Sequence, residues 1–285
     1  MPQVDPSQTI SDALHTATTL LSRTSTSARL DAELLLEYVT GLPRSSFHSH
    51  PERTLPVKAG WSFQQLVKRR LRGEPVAYIR GQQEFWSLLL EVTPQVLIPR
   101  PETELVVERA LTHLEPQGAP LVADLGTGSG AIALAIASER PGACVYATDV
   151  DRDAIAVANS NAARLRIGNV HWCVGHWFAA LQGRQFAVIC SNPPYIARND
   201  PDLAPQVRDY EPALALIPGT TGLEALEHIV AHAPAHLQSG GWLILEHGWR
   251  QAEQVSALLV RHGFAHVRSH PDLAGQLRVT EAMQP

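Results

Sequence analysis

From residue 121 onward the chain alternates short apolar runs with helical segments, and this alternation restricts the possible folds more than any other feature. The runs are rich in Val, Ile, Leu and Ala, which is typical of strands buried on both faces of a parallel sheet. Repeated strand and helix segments predict an α/β fold built on a doubly wound, mostly parallel, Rossmann-like sheet. The predicted strands are residues 121–125, 144–148, 170–174, 186–191 and 242–246, with another near 265–269.

The fourth run, FAVICS, stops at Asn192-Pro193-Pro194-Tyr195. Successive prolines turn the chain out of the sheet, so Asn192 falls at the carboxyl end of a strand, where open α/β sheets bind ligands. The Asn192 side-chain oxygen and the Pro193 carbonyl can accept both hydrogens of a planar amino group, and the Tyr195 ring can stack on it. The tetrapeptide therefore predicts a clamp for an amide or a base; a simple Pro-Pro turn is the alternative.

A glycine-rich turn, residues 126–130, joins the first predicted strand to a helix. Its glycines let the backbone pass beneath a ligand, and the second strand ends at Asp149, where such folds place a carboxylate on ribose hydroxyls. The spacing is GxGxG, and NAD and S-adenosylmethionine both suit it. Beside an amino-group clamp a methyl donor is favoured, because hydride transfer has no use for the clamp.

The N-terminal region lacks this alternation. Amphipathic segments at 8–22, 27–39 and 58–72 predict a helical domain over residues 1–81, which we expect to bind substrate. A β-hairpin is predicted over 82–99, and the sheet domain over 100–285. The third helix ends in the basic run 68–72, which is either a solvated helix end or a docking patch for RNA or an acidic partner.

Composition narrows the class of protein. The net charge of -5 argues against nucleic-acid binding by bulk electrostatics. The chain has no apolar run long enough to span a membrane and no signal-peptide pattern, so we expect a cytoplasmic protein. No metal site is expected: His228, His232 and His236 recur at helical spacing, but Pro234 interrupts the helix, and they are interpreted as a solvated face.

Four segments, GTGSGAIALA, NPPY, EFWSLLLEVTPQVLIPRPETE and LILEHGW, together resemble the N5-glutamine methyltransferases that modify peptide chain release factors. The resemblance covers nearly the whole chain. It implies a class I methyltransferase fold and an S-adenosylmethionine-dependent enzyme that methylates the glutamine of the GGQ tripeptide in release factors. It also implies a release factor as partner. The net charge and the lack of a membrane-spanning run predict no stable binding of nucleic acid or membrane.

The resemblance further implies roles for individual residues. The family usually has an acidic residue before the aromatic residue that corresponds to Trp177, whereas this chain has Gly175-His176. Arg100, Glu102 and Phe85 are weaker candidates for the cofactor pocket and its lid, and Glu246 is expected to be only a strand-end carboxylate. The implied cofactor-binding residues are Gly126, Thr127, Gly128, Ser129, Gly130, Asp149, Trp177 and Asn192; the substrate-binding residues are Asn192, Pro193, Pro194 and Tyr195, of which Asn192, Pro193 and Tyr195 are catalytic.

Two other functions fit parts of this pattern. A methyltransferase acting on the exocyclic amino group of a base in DNA or RNA would use the same clamp, but we expect such an enzyme to carry a broad basic surface. A non-catalytic S-adenosylmethionine-binding partner of the ribosome would have no need for an intact NPPY.

Overall fold

The computed structural model describes residues 8–285, and the chain divides into two compact units with the boundary between Gly81 and Gln82. The first seven residues of the predicted domain 1–81 lie outside the described residues. The described part of the first unit is helical. Its helices are α1 (Ile10–Leu21), α2 (Ala28–Thr40), α3 (Arg44–Ser49), α4 (Val57–Leu71) and α5 (Val76–Arg80).

Local sequence signals fix the long helices of this unit. The Thr9 side chain caps α1 by accepting a hydrogen bond from the Asp12 backbone N–H, and Gly41 ends α2 in the left-handed conformation. Apolar faces then pack into one core around Leu14, Leu35 and other side chains.

The basic run 68–72 is partly neutralised within its own unit. Arg70 is buried, and its Nε donates to Asp31 Oδ2 at 2.7 Å. Arg69 forms an ion pair with Glu74. Neither predicted interpretation, a solvated helix end or a docking patch, describes the whole run, because Arg69 and Arg70 pair with acidic residues of the same unit.

The second unit begins with a hairpin that is shorter than predicted. Its strands are β1 (Gln82–Phe85) and β2 (Leu88–Glu91), and Phe85 pairs with Leu88. The turn is Trp86-Ser87, with φ of 50° and 59°, as a two-residue hairpin of this hand requires. The hairpin predicted over 82–99 is thus wrong in its second half, where residues 92–100 form irregular chain.

The sheet of this unit confirms the predicted fold class. Its order is β5-β4-β3-β6-β7-β9-β8, parallel except for β9, which runs antiparallel to both neighbours. Because the order reverses between β3 and β6, a crevice forms at the carboxyl ends of these strands. The strands are β3 (Leu121–Leu125), β4 (Cys144–Asp149), β5 (Val170–Val174), β6 (Phe186–Ser191), β7 (Leu237–Glu246), β8 (Ala265–Pro271) and β9 (Leu277–Met283).

Helices cover both faces of the sheet. On one face α6 and α7 bury side chains such as Val107 and Leu134, and on the other α11 and α12 bury Ile229 and Leu259. The described residues contain no helix that is both long and apolar enough to cross a membrane. The helices of this unit are α6 (Glu104–Thr112), α7 (Ala131–Glu139), α8 (Arg152–Leu165), α9 (Pro205–Tyr210), α10 (Ala213–Leu216), α11 (Glu224–His232) and α12 (Ala252–Arg261).

Candidate active site

Two cavities open beside each other at the carboxyl edge of the sheet. The first has a volume of about 400 Å³ and lies above the glycine-rich turn, and the second, of about 390 Å³, lies beyond the end of β6. Asn192, Leu97 and Ala215 line both cavities. A group held in one cavity therefore faces a group held in the other across the Asn192 side chain.

The glycine-rich turn forms part of the first cavity through only two of its residues. Gly126 and Gly128 line it, with φ of 73° and 55°. A Cβ atom on Gly128 would meet nothing within 4 Å, so the space above this glycine is open. At Gly126 a Cβ would lie 3.3 Å from the Trp177 ring, so glycine is needed for the ring to lie this close.

The other predicted residues of the turn hold its shape. Thr127 Oγ1 donates to the buried Asp124 Oδ2 at 2.6 Å, and the Ser129 carbonyl accepts from Asn161 at 3.0 Å. Gly130 is tightly enclosed, with a φ of 86°. The structure thus places Thr127, Ser129 and Gly130 behind the cavity wall.

Asp149 lines the first cavity at the end of β4. Its Oδ2 accepts from the Gly128 N–H at 2.9 Å and its Oδ1 from the Asp151 N–H at 2.9 Å. Burial raises the pKa of Asp149, although these backbone hydrogen bonds act in the opposite direction. The carboxylate keeps further lone pairs beside the cavity, where they can accept hydrogen bonds from hydroxyl groups.

Aromatic rings form one wall of the first cavity. Trp177 lines it with a φ of 48°, next to His176 and His228. The His228 ring lies 5.4 Å from the His176 ring and 4.2 Å from the His232 ring. The expectation of a solvated histidine face is therefore wrong for His228, which is half-buried and belongs to the cavity wall.

The NPPY residues lie at the boundary between the cavities. Asn192 Nδ2 donates to Thr103 Oγ1 at 3.1 Å, which directs the Asn192 side-chain oxygen away from Thr103. Pro193 and Tyr195 line the second cavity, whereas Pro194 lines the first. The Tyr195 hydroxyl donates to Glu246 Oε1 at 3.1 Å, and burial together with Glu246 raises the pKa of the Tyr195 phenol.

Two fully buried carboxyl groups support this edge of the sheet. Burial raises the pKa of Asp124 to about 7 and that of Glu246 to about 7. Asp124 Oδ1 and Glu246 Oε2 have no hydrogen-bond partner among residues 8–285. Buried carboxyl groups with strongly raised pKa values are typical of functional sites.

The weaker candidates from the sequence have different positions. Arg100 lines the second cavity and forms an ion pair with the buried Glu211, whose other oxygen accepts from the Ile98 N–H at 3.2 Å. Glu102 is exposed and lines neither cavity. Phe85 is 1% exposed within the core, because β1 packs onto the sheet domain. The suggestion that Phe85 belongs to the pocket or lid is therefore wrong.

Sequence reasoning missed several contributors to the site. Thr103 and Glu211 bind Asn192 and Arg100 from 89 and 111 residues away. The segment over residues 200–222, which follows the NPPY residues, supplies Leu214 and Ile217 to the wall of the first cavity. In the sequence, Pro99 and Pro101 on either side of Arg100 and the proline-rich segment 200–222 are the signals that could have pointed to these contacts.

The chain matches two family models: the PrmC N-terminal domain over residues 12–81 and the methyltransferase small domain over residues 103–207. A release factor glutamine methyltransferase of Pseudomonas aeruginosa is 52% identical over 256 residues, which is 90% of this chain and 92% of the relative. One of Coxiella burnetii is 45% identical over 273 residues, which is 96% of this chain and 98% of the relative.

Among solved structures, a methyltransferase from Pyrococcus furiosus superposes with a TM-score of 0.52 at 20% sequence identity. The match covers 78% of this chain and 98% of that chain. At this identity the likeness supports the fold alone.

Proposed function

The chain belongs to the release factor glutamine methyltransferase family, and we propose that it transfers a methyl group from S-adenosylmethionine to the side-chain amide nitrogen of the glutamine in the GGQ motif of peptide chain release factors. This reaction would support translation termination. The observation that carries the proposal is the meeting of two cavities at Asn192. Methyl transfer needs two sites of this kind, because donor and acceptor approach along one line.

The first cavity fits S-adenosylmethionine. Gly126 and Gly128 leave room for a ligand against the backbone, Asp149 offers acceptors for ribose hydroxyls, and Trp177 offers a ring beside an adenine. Asn192 stands between this cavity and the substrate. The family's usual acidic residue before Trp177 is absent, so His176 faces this part of the cavity instead.

The second cavity is the proposed site of the glutamine side chain. Asn192 Oδ1 and the Pro193 carbonyl accept the two amide hydrogens, and the Tyr195 ring packs on the amide plane. Accepting both hydrogens shifts electron density toward a nitrogen whose lone pair is otherwise delocalised into the carbonyl. The clamp also aims that lone pair at the first cavity.

Alignment supplies much of the catalysis in this mechanism. When bound in the first cavity beside Gly126, Asp149 and Trp177, S-adenosylmethionine would supply a sulfonium methyl group. The amide lone pair would form the new N–CH₃ bond, the S–CH₃ electron pair would stay on sulfur, and the nitrogen would lose one proton to solvent. Holding the reacting atoms about 3 to 3.5 Å apart can remove several kcal/mol of the barrier.

Residues 1–81 and the insert over 200–222 are the proposed contact regions for the rest of the release factor. A glutamine on an exposed loop must reach a recessed clamp, and the remainder of a large substrate needs a surface to rest on. The pairing of Arg70 and Arg69 with acidic residues of the same unit disfavours binding of that unit to RNA through the basic run.

The decisive experiment is methyl transfer from radiolabelled S-adenosylmethionine to a purified release factor. Parallel reactions contain the same factor with the GGQ glutamine replaced by alanine, and DNA or RNA. Label on the intact factor alone is the expected result. Label on nucleic acid would instead establish a base methyltransferase, and label on the alanine variant would place the modified atom elsewhere.

A further inference from the structure

The antiparallel strand β9 brings a cation to the second cavity. The carboxyl ends of the parallel strands form the ligand edge of the sheet, so β9, which runs the other way, places its amino end there. The hydrogen bond from the His247 N–H to the Arg278 carbonyl, at 3.0 Å, fixes Arg278 beside the end of β7. Arg278 lines the second cavity together with Asn192 and Tyr195. Burial raises the pKa of Tyr195, and the charge of Arg278 acts in the opposite direction, as expected of a neighbouring cation.

Three arginines line this cavity, and they differ in how far the protein uses their hydrogen-bond donors. Arg100 forms an ion pair with the buried Glu211. Arg250 forms an ion pair with Asp202 at 3.2 Å. Both of these side chains therefore give donors to a carboxylate of the protein, and Arg278 is the arginine of the lining that requires a separate account.

The guanidinium of Arg278 is weakly paired within residues 8–285. Its Nε lies 3.5 Å from Asp272 Oδ2 and, although it is buried, has no hydrogen-bond partner. Its Nη2 lies 3.5 Å from Gln276 Oε1. Both distances exceed the roughly 2.7 to 3.2 Å typical of N–H···O bonds. Since an arginine carries several N–H donors and no acceptor, Arg278 has donors left for acceptor groups of a ligand in the cavity.

The position of Arg278 along the sheet edge indicates which part of a substrate it meets. One strand, β7, separates β9 from β6, so the backbone of Arg278 lies roughly 10 Å along the sheet from the strand that leads to Asn192. A glutamine whose amide is held at Asn192 has its main chain a short methylene chain away. That main chain must leave through the second cavity, because the first cavity is the proposed cofactor site. The acceptors that it presents there are main-chain carbonyl oxygens, since the glycines of a GGQ loop have no side chains.

We propose that Arg278 binds the main-chain carbonyl oxygens next to the substrate glutamine, and so makes the second cavity specific for a glutamine within a peptide. The inference deepens the proposed function and rests on it. A small primary amide held at Asn192 has no such carbonyls and gains nothing from Arg278. A peptide is held at two points, its side-chain amide at the clamp and its main chain at Arg278.

The first test is kinetic and uses a purified release factor. Arg278→Gln is expected to raise KM for the factor by about tenfold to a hundredfold, as for the loss of a hydrogen bond from a charged donor. The kcat value and the Kd for S-adenosylmethionine should change far less. Arg278→Lys keeps the charge but loses the forked donor geometry, so its KM should be intermediate. A wild-type KM in Arg278→Gln would overturn the proposal.

A matched control separates binding from charge and from folding. Arg268→Gln makes the same change on the neighbouring strand β8, where Arg268 is exposed and lines neither cavity, and its KM should equal that of the wild type. An equal rise of KM in both variants would refute a direct contact. The melting temperature of Arg278→Gln should stay close to that of the wild type, because Asp272 is also held by the Ala274 and Gln276 N–H groups at 2.9 Å each.

The second test needs no turnover and identifies the acceptor. Peptides containing Gly-Gly-Gln are titrated calorimetrically into the protein, each with the carbonyl of one glycine in an ester in place of an amide, which makes that oxygen a weaker acceptor. In the wild type at least one ester should weaken binding by about threefold to tenfold, and in Arg278→Gln this ratio should fall toward one. Equal ratios in both proteins, or no peptide binding by the wild type, would overturn the proposal. A wild type that binds the peptide through Arg278 but leaves release factors unlabelled would instead contradict the proposed function.

Discussion

Glu246 and Glu281 are buried carboxyl groups on adjacent antiparallel strands, yet their surroundings differ. Glu281 accepts two hydrogen bonds from Arg109 at 3.0 Å each and is 3.0 Å from His113 and 3.1 Å from His270. Burial raises the pKa of Glu281, but Arg109 and His113 outweigh burial and lower it. Glu246 accepts one hydrogen bond, from the Tyr195 hydroxyl at 3.1 Å. Burial is the larger effect here, so the pKa of Glu246 is raised. The number and charge of the hydrogen-bond partners therefore decide whether the pKa of a buried carboxyl group is lowered or raised.

The largest expected effect comes from disrupting the clamp formed by Asn192, Pro193 and Tyr195, in which Tyr195 hydrogen-bonds Glu246. Asn192→Ala removes the acceptor at the boundary of both cavities, so kcat should fall by about a thousandfold, or about 4 kcal/mol. The affinity for S-adenosylmethionine should change far less. Single-turnover kinetics and calorimetric titration of the cofactor measure the two quantities. Unchanged turnover would remove Asn192 from the mechanism.

The second largest expected effect tests how far the contacts of Glu281 stabilise the fold. Glu281→Gln leaves the Arg109 guanidinium beside a neutral amide, and we expect a loss of about 3 kcal/mol in the free energy of unfolding. Urea denaturation at pH 7.5 measures this loss. As a control, Glu253→Gln removes an exposed carboxylate from the first turn of α12 and should change stability by less than about 0.5 kcal/mol. Equal losses of stability in both variants would contradict the idea that the contacts of Glu281 with Arg109 and His113 stabilise the fold.

The two acids should also give pH dependences of opposite sign. The pKa of Glu246 is raised from 4.5 to about 7, so its contribution to stability is complete below about pH 4.5 and is lost as pH rises through 7. The pKa of Glu281 is lowered, so its contribution is present above 4.5 and is lost in acid.

The free energy of unfolding, measured between pH 4 and pH 8, distinguishes these signs. The wild type should lose about 2 kcal/mol relative to Glu246→Gln on going from pH 5 to pH 8. Its advantage over Glu281→Gln should be larger at pH 7.5 than at pH 4. Asp124 is present in all three proteins, so its own titration cancels. Curves of the same sign for both variants would show that their surroundings do not differ as described.

Features encoded over short stretches were predictable from the sequence. Strands β3 to β6 are short, largely apolar runs that end at or one residue before Gly126, Asp149, Gly175 and Asn192, so their bounds follow from local composition. Thr9 and Gly41 mark helix ends in the same way. The short helices α3, α5, α9 and α10 were missed because segments of this length show no clear 3.6-residue period. The Trp86-Ser87 turn was missed because it has none of the Gly, Asn or Asp residues that announce such turns.

The residues of the candidate site that line the cavities were predictable from the sequence, and the residues that hydrogen-bond them from behind were not. Asn192 and Asp149 follow strands directly, so their position at the sheet edge could be inferred. Their partners could not, because Thr103 and Glu246 come from segments 89 residues before Asn192 and 51 residues after Tyr195. Contacts at such separations depend on tertiary packing, which leaves no local pattern in the sequence.

The smallest expected effect concerns a third carboxylate, Asp149, which lines the first cavity and accepts hydrogen bonds from the Gly128 and Asp151 backbone N–H groups. Asp149→Asn replaces one acceptor oxygen by a donor, so the Kd for S-adenosylmethionine should rise by about tenfold, or about 1.4 kcal/mol. Calorimetric titration measures this change, and Asp153→Asn on the exposed side of α8 is the control with the same change of charge. Equal weakening in both variants would mean that Asp149 acts through long-range charge. A loss confined to Asp149→Asn would show that this carboxylate binds the ligand directly, in contrast to Glu281, whose oxygens hydrogen-bond Arg109 and His113 within the fold.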